Sequence, residues 1–146
     1  MAFELNGDYM KQRLDLDSED TNQADLFFSR GLHFAQTGLH DRAAKEFEEA
    51  AWRDPDNAEV QYNLGTAYTL LGSLEQAVRN FDAAIRLNPD HRDAFANRAV
   101  AYAAMGDTGR SESDSKEALR LGANRQGLAA ALEYVGSIRK KKNELR

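Results

Sequence analysis

Residues 31–55 read GLHFAQTGLHDRAAKEFEEAAWRDP, and residues 65–89 read GTAYTLLGSLEQAVRNFDAAIRLNP. The second stretch begins 34 residues after the first, and its landmark residues keep the same offsets. The landmarks are Gly31, Phe34, Gly38, Ala43, Phe47, Ala50 and Pro55, followed by Gly65, Tyr68, Gly72, Ala77, Phe81, Ala84 and Pro89. A weaker third copy has Ala99, Tyr102, Gly106 and Ala118. A fixed period of this length is typical of one supersecondary unit stacked on copies of itself.

Each period contains two segments with helical apolar spacing, separated by a glycine turn. The second helix of the middle unit is predicted from Leu74 to Leu87, with Ala77 and Phe81 facing inward. The prolines Pro55 and Pro89 are expected to end one unit, after which Asp56 and Asp90 are expected to cap the next helix. The sequence therefore predicts an all-α fold, an α-solenoid of three helix-turn-helix repeats with a C-terminal capping helix.

Three regions are predicted along the chain. Residues 1–21 carry six acids against two bases and are expected to form a flexible acidic arm, in which apolar residues allow a short helical turn. Residues 22–123 contain the repeats, at about 24–57, 58–91 and 92–123. Residues 124–146 are predicted to form a capping helix that starts at Asn124, places Leu128, Ala131, Leu132, Val135 and Ile138 on one face, and ends in a basic tail.

Two local features qualify this plan. In the third unit, Ser111 and Ser115 replace an alanine and a phenylalanine, which predicts a less well packed second helix. The basic tail from Arg139 to Arg146 suits the negative end of a helix dipole. The alternative is that the tail contacts the acidic arm of a second copy, or the column of acidic residues Asp25, Glu59 and Asp93 that recurs at the repeat period.

The landmark pattern, and above all the run YNLGTAY at residues 62–68, resembles the tetratricopeptide repeat over about residues 24–123. The resemblance implies a concave groove lined by the first helices of successive units. It also implies a non-catalytic protein–protein interaction module, an adaptor or scaffold that binds a peptide segment of a partner in this groove. Two alternatives stay open: a self-assembling structural module, and a small secretion or assembly chaperone.

The 34-residue period identifies the residues that would line the groove implied by the resemblance. Asparagine is a poor helix former, so its recurrence as Asn63 and Asn97 favours amides that hold an extended peptide backbone, a use that peptide-binding members of the family make of this position. The peptide-binding candidates are Asn63, Asn97, Tyr62, Glu59, Thr66, Phe28 and Asp93. For the carboxylates the competing role is stabilisation of a helix N-terminus, and for the aromatic residues it is packing.

One ligand class of the family is disfavoured. Relatives that grip the C-terminal carboxylate of heat-shock chaperones use lysine, asparagine and arginine at defined groove positions. Phe28 and Leu32 occupy two of these positions, Asp93 and Asn97 occupy two more, and only Asn63 fits. A carboxylate would meet Asp93 instead of a cation, so binding of such tails is not expected.

The amino-acid composition narrows the classes of partner, covalent or metal site and cellular location that are expected. The net charge of −5 argues against sequence-independent nucleic-acid binding and favours a basic or neutral protein partner. The absence of cysteine excludes disulfides and thiolate metal sites. The start, MAFELNGDYMKQRL, has neither a basic flank nor an apolar run, so no signal peptide or membrane anchor is expected and a cytoplasmic location is the default.

The remaining polar residues point to structural roles. His33, His40 and His91 are too scattered for a metal motif and are expected to be solvated or half-buried. No serine or aspartate lies in a context that suggests a nucleophile, so neither catalysis nor a cofactor is expected. Trp52 is expected to pack against the following unit.

Overall fold

The computed structural model describes the backbone of residues 7–146 and the side chains from residue 19 onward. This part of the chain contains helices and no strand, which confirms the all-α prediction. The helices are α1 Gly7–Gln36, α2 His40–Arg53, α3 Ala58–Leu70, α4 Leu74–Leu87, α5 Arg92–Met105, α6 Thr108–Arg120 and α7 Arg125–Glu144. They divide into two compact units at the boundary between Asp56 and Asn57.

Helix α1 begins earlier than the sequence pattern indicates. The apolar period predicts a first helix from about Asn22, but α1 begins at Gly7. Residues 8–21 contain no glycine or proline, so no residue in this stretch is a strong helix breaker. The predicted arm is therefore helical over residues 7–21, while residues 1–6 lie outside the described residues.

The first unit is the hairpin of α1 and α2. Ala43, Phe47 and Ala50 of α2 are fully buried. A Cβ atom built on Gly31 of α1 would lie 2.5 Å from Cδ1 of Phe47, so only glycine permits this approach. Trp52, by contrast, is exposed over 78% of its surface, and the expectation that it is packed is wrong.

The second unit repeats the hairpin as α3–α4 and α5–α6. Helix α4 packs against α5, and α5 in turn packs against α7. A Cβ atom on Gly65 of α3 would lie 2.8 Å from the ring of Phe81. Gly65 therefore permits the same close approach to Phe81 that Gly31 permits to Phe47. In the third hairpin Ala99 replaces this glycine and Ser115 replaces the phenylalanine. The two changes match, because a serine in place of the ring leaves room for a methyl group.

Glycine turns connect the two helices of each hairpin. Gly38, Gly72 and Gly106 have φ values of 76°, 79° and 85°, in the left-handed region that glycine occupies without steric cost. The residue after each glycine donates its N–H to the carbonyl of the residue five positions earlier, as Ser73 does to Tyr68 at 2.9 Å. This is the Schellman closure of a helix C-terminus.

The caps of α3 and α5 lie one residue after the predicted ones. Asn57, not Asp56, caps α3, since its Oδ1 accepts from the N–H groups of Glu59 and Val60. His91, not Asp90, caps α5, with Nδ1 accepting from the N–H of Ala94 at 3.3 Å. The predicted cap of α7 is present, because Asn124 Oδ1 accepts from the N–H of Gly127 at 2.7 Å. After each proline the chain needs one further residue before it enters the helix.

A largely buried ion pair connects the two helices of the third hairpin, at the repeat positions where Arg30 and Glu46 form an ion pair in the first hairpin. Arg98 of α5 donates Nε and Nη2 to the two carboxylate oxygens of Asp114 on α6, both at 2.7 Å. Its Nη1 reaches Asp82 of α4, also at 2.7 Å. These hydrogen bonds, first those to Asp114, raise the pKa of Arg98. Three helices are thus joined through one guanidinium group.

Helix α7 closes the second unit. Leu128 is buried, whereas Ile138, which was predicted on the same face, is 48% exposed. The guanidinium group of Arg139 occupies the space where a Cβ atom on Gly106 would lie. It therefore sits at the C-terminal end of α5, where a cation is favourable for the helix dipole.

Candidate functional site

Helices α3 and α5 bring three of the predicted residues into one hydrogen-bonded cluster. Asn97 on α5 donates its Nδ2 to the hydroxyl of Tyr62 at 3.3 Å and to Oγ1 of Thr66 at 3.2 Å. Tyr62 and Thr66 are one turn apart on α3, so both face the same part of α5. A single amide therefore connects the two first helices of this unit.

Asn63, the other predicted asparagine, has different contacts. Its Nδ2 donates to the carbonyl of Glu59 at 2.8 Å, one turn earlier in the same helix. Its side chain is half-buried and takes no part in the bonds between Asn97, Tyr62 and Thr66. The two asparagines share a repeat position but have different hydrogen-bond partners.

A buried histidine lies beside the cluster. His91 is only 7% exposed, which corrects the expectation of a solvated or half-buried side chain. Its ring centre is 4.9 Å from that of Tyr62, and its Nε2 is 3.1 Å from Oε1 of Glu59. His91 is the N-cap of α5, directly after Pro89-Asp90. The sequence shows that place, but the contact with Tyr62 becomes visible only in the structure.

The pKa values of Tyr62 and of the nearby Asp93 are shifted in opposite directions. The guanidinium group of Arg92, 2.8 Å from Asp93, lowers the pKa of that carboxyl group. Burial, and then the charge of Asp93, raises the pKa of Tyr62. At neutral pH, Asp93 is therefore ionised and Tyr62 keeps its proton. A protonated phenol can both accept from Asn97 and donate.

Phe28, the remaining peptide-binding candidate, belongs to the first unit. Its ring centre is 5.8 Å from that of Phe47 on α2. Tyr62 has the same relationship to Phe81 of α4, at 6.2 Å. The aromatic residue at this repeat position thus packs on the second helix of its own hairpin, in agreement with the packing role considered above.

Two depressions adjoin Asn97. One has a volume of about 150 Å³ and lies between α3 and α5, lined by Thr66, Thr69, Leu70, Asn97 and Val100. The other, of about 460 Å³, lies between α5 and α7; its lining includes Asp93, Asn97, Val100, Asn124 and Leu128. Asn97 and Val100 border both. We call the surface formed by the cluster and these two depressions the α3–α5–α7 face.

In the described part of the chain, no group of three or more histidine and acidic side chains is placed to hold a metal ion. None of the described helices has the length and apolar character needed to cross a membrane.

Comparison with protein families assigns the repeats. A TPR repeat model matches residues 65–106, and a tetratricopeptide repeat model matches residues 28–78. Together they span residues 28–106, more than half of the chain. Comparison with curated proteins gave no match.

Solved structures share the fold. The first TPR of Spaghetti (RPAP3), bound to HSP90 peptide SRMEEVD, is 21% identical with a TM-score of 0.73, covering 82% of this chain and 95% of that one. The second TPR of Spaghetti (RPAP3), bound to the same peptide, is 26% identical with a TM-score of 0.70, covering 73% and 98%. The TPR domain of Arabidopsis OM64 is 17% identical with a TM-score of 0.74, covering 80% and 96%.

The 34-residue period, the hairpins closed by glycine turns and the matching family models all agree. The chain belongs to the tetratricopeptide repeat family.

Proposed function

We propose that this protein is a non-catalytic interaction module that holds a short, extended peptide of a protein partner on the α3–α5–α7 face. One observation carries the proposal: Asn97 is held by Tyr62 and Thr66 at the border of two open depressions. An asparagine fixed in this way is preorganised, so a ligand does not bear the entropy of ordering it. The peptide complexes of two similar TPR domains support the same kind of function.

The chemistry of the face suits an extended backbone. A peptide in extended form presents an N–H and a C=O at every residue. The amide of Asn97 has an acceptor oxygen in addition to the N–H groups that it donates to α3. Successive side chains of a strand point to opposite sides, so alternate ones can enter the depressions. The smaller depression, with Leu70 and Val100 in its wall, suits a small apolar side chain.

The charges favour a neutral or basic peptide. The RPAP3 domains bind the acidic HSP90 peptide SRMEEVD. In this chain, the α3–α5–α7 face carries Asp93, which is paired with Arg92 of the same depression at 2.8 Å, and the largely exposed Glu59 lies beside the face. Arg92 offsets the charge of Asp93, so Glu59 is the carboxylate that would repel a carboxylate ligand and attract a lysine or arginine of the ligand.

The test begins with a peptide library displayed on phage and selected on the immobilised protein. The selected peptide is then labelled and titrated by fluorescence anisotropy, with SRMEEVD as the acidic comparison. We expect neutral or basic peptides to be selected, and Asn97→Ala to weaken their binding about tenfold, the loss of one well-placed hydrogen bond.

Asn80→Ala is the matched control. Asn80 also donates an interhelical hydrogen bond, to Gln61 at 2.8 Å, but does not line either depression. Both variants should lose about 1 kcal/mol of folding free energy, and only Asn97→Ala should lose affinity. Equal affinity of the two variants, or selection of no peptide above background, would refute the proposal.

A further inference from the structure

The outward side of α7 has an unusual composition for a terminal helix of a repeat array. Such a helix normally presents a polar surface to solvent. Here Tyr134 is 67% exposed, Ile138 is 48% exposed and Leu145 is 89% exposed. Tyr134, Ile138, Lys141 and Lys142 share one side of α7 at spacings of three, four and seven residues, and the C-cap residue Leu145 continues this side. We call this side the outer α7 stripe.

The outer α7 stripe is distinct from the side of α7 that packs in the second unit. Leu128, the buried residue of α7, lies on that other side together with Arg139, which rests on Gly106 of α5. The stripe is also outside the lining of both depressions beside Asn97. It thus forms an apolar surface that neither the fold nor the peptide-binding face uses.

Charge is distributed very unevenly along the chain. Residues 124–146 carry six bases against two acids, while residues 1–20 carry six acids against two bases. The two ends therefore have net charges of about equal size and opposite sign, although the whole chain is acidic. The acidic segment also contains apolar residues that the stripe could cover, namely Phe3, Leu5, Tyr9, Met10 and Leu14.

The first unit presents this acidic segment beyond its own hairpin. Helix α1 has 30 residues and α2 has 14. Arg53, the last residue of α2, donates to Gln23 of α1 at 3.3 Å, so α2 ends level with Gln23. Residues 7–20 of α1 therefore extend past α2 by about 21 Å at the helical rise per residue. Glu19 and Asp20, at the base of this extension, are exposed.

We propose that the outer α7 stripe binds the acidic N-terminal segment, residues 3–20, of a second copy of this chain. Tyr134 and Ile138 would cover the apolar residues of that segment, and the lysines would pair with its carboxylates. Charge complementarity favours this occupant over an acidic partner of another kind, because every copy carries both halves of the contact. The contact joins unlike surfaces, so it either closes a ring or propagates.

Sedimentation velocity of the full chain over a concentration series tests the contact at about 50 mM and about 500 mM salt. We expect concentration-dependent association at low salt that weakens at high salt, because screening acts on exposed charges. Two charge reversals, each made alone, should raise the dissociation constant at least about tenfold. The first is Lys140→Glu with Lys141→Glu and Lys142→Glu, which reverses the two lysines of the stripe and their neighbour Lys140. The second is Asp15→Lys with Asp17→Lys and Glu19→Lys.

Mixing the two reversed proteins is the decisive experiment. The reversed tail of one and the reversed segment of the other are again complementary, so the mixture should associate although neither protein does so alone. Tyr134→Ser with Ile138→Ser tests the apolar part and should also weaken association about tenfold. A matched reversal of exposed bases elsewhere, Arg79→Glu with Arg86→Glu and Lys116→Glu, should leave association unchanged.

Several results would overturn the proposal. The proposal is refuted if the chain is monomeric at every concentration in low salt. It is also refuted if the two charge-reversed proteins, both folded, stay monomeric when they are mixed. Unchanged association after deletion of residues 1–20 would indicate that α7 pairs with α7 instead. Sedimentation of the monomeric chain with anionic vesicles, abolished by the lysine reversal, would assign the stripe to a membrane surface.

Discussion

Single glycines control how closely the two helices of a hairpin approach each other. Gly31 and Gly65 lie under the rings of Phe47 and Phe81, at distances that no Cβ atom tolerates. Gly136, on α7, has no atom within 4 Å of the position where its Cβ would be. The same residue type is therefore required at the first two positions and dispensable at the third.

Alanine at these glycines should have opposite effects on stability. Gly65→Ala should destabilise the fold by about 1–2 kcal/mol, because overpacking against the buried Phe81 outweighs the better helix propensity of alanine. Gly136→Ala should stabilise it by about 0.5–1 kcal/mol through helix propensity alone. Urea unfolding followed by circular dichroism measures both, and a stabilising Gly65→Ala would contradict the assigned contact.

Among elements, α4, α5 and α6 are joined by Arg98. One end of this network is buried and the other is exposed: the side chain of Asp114 is 8% exposed, and that of Asp82 is 50% exposed. Exposed ion pairs add little stability, while loss of one partner from a buried pair leaves an uncompensated charge. The buried half therefore determines the cost of changing Arg98.

Replacement of Arg98 should be costly, and the cost should be recoverable. We expect Arg98→Met to destabilise the fold by about 3 kcal/mol, because Asp114 is left buried and unpaired. Arg98→Met combined with Asp114→Leu should restore most of this loss, since apolar residues can replace a buried pair. Asp82→Ala, as the control, should cost less than about 1 kcal/mol. Thermal unfolding of the three variants checks the order, and equal losses for Arg98→Met and Asp82→Ala would contradict it.

At the scale of the whole molecule, the two units are unequal. The unit that ends at Asp56 contains a single helix pair, whereas the unit that begins at Asn57 contains α3 to α7 with several packed pairs. Asn57 caps α3 at the start of this second unit, and the α3–α5–α7 face lies within it. The stability of a repeat array is the sum of the stabilities of its repeats and of the interfaces between them. The second unit contains more repeats and more interfaces than the first.

The second unit should therefore fold without the first. A chain of residues 57–146 is expected to unfold cooperatively on heating and to bind the selected peptide within about threefold of the intact protein. Residues 1–56 alone should show weak helicity, because one hairpin leaves an apolar side uncovered. Non-cooperative melting of residues 57–146 would contradict this division.

Much of the fold could be predicted from local pattern. The helix pairs, the glycine turns and the bounds of α4 follow from 34-residue periodicity and the stereochemistry of glycine and proline. The period also selected Tyr62, Thr66 and Asn97 of the α3–α5–α7 face, but not Asn124 and Leu128, which line one of its depressions. It misplaced the start of α1 and two caps, because helix boundaries depend on side chains near the terminus rather than on the repeat.

The sequence by itself determined the repeat architecture and which residues share a column, since both depend on spacing along one chain. Only the tertiary structure decided that Asn97 binds Tyr62 and Thr66, that His91 is buried and that Trp52 is exposed. The hydrogen bonds of Asn97 join residues that are 31 and 35 positions apart in the chain. The burial of a side chain depends on whether a neighbouring residue covers it. Periodicity specifies the face on which a residue lies, while its partners are set by how closely the helices pack.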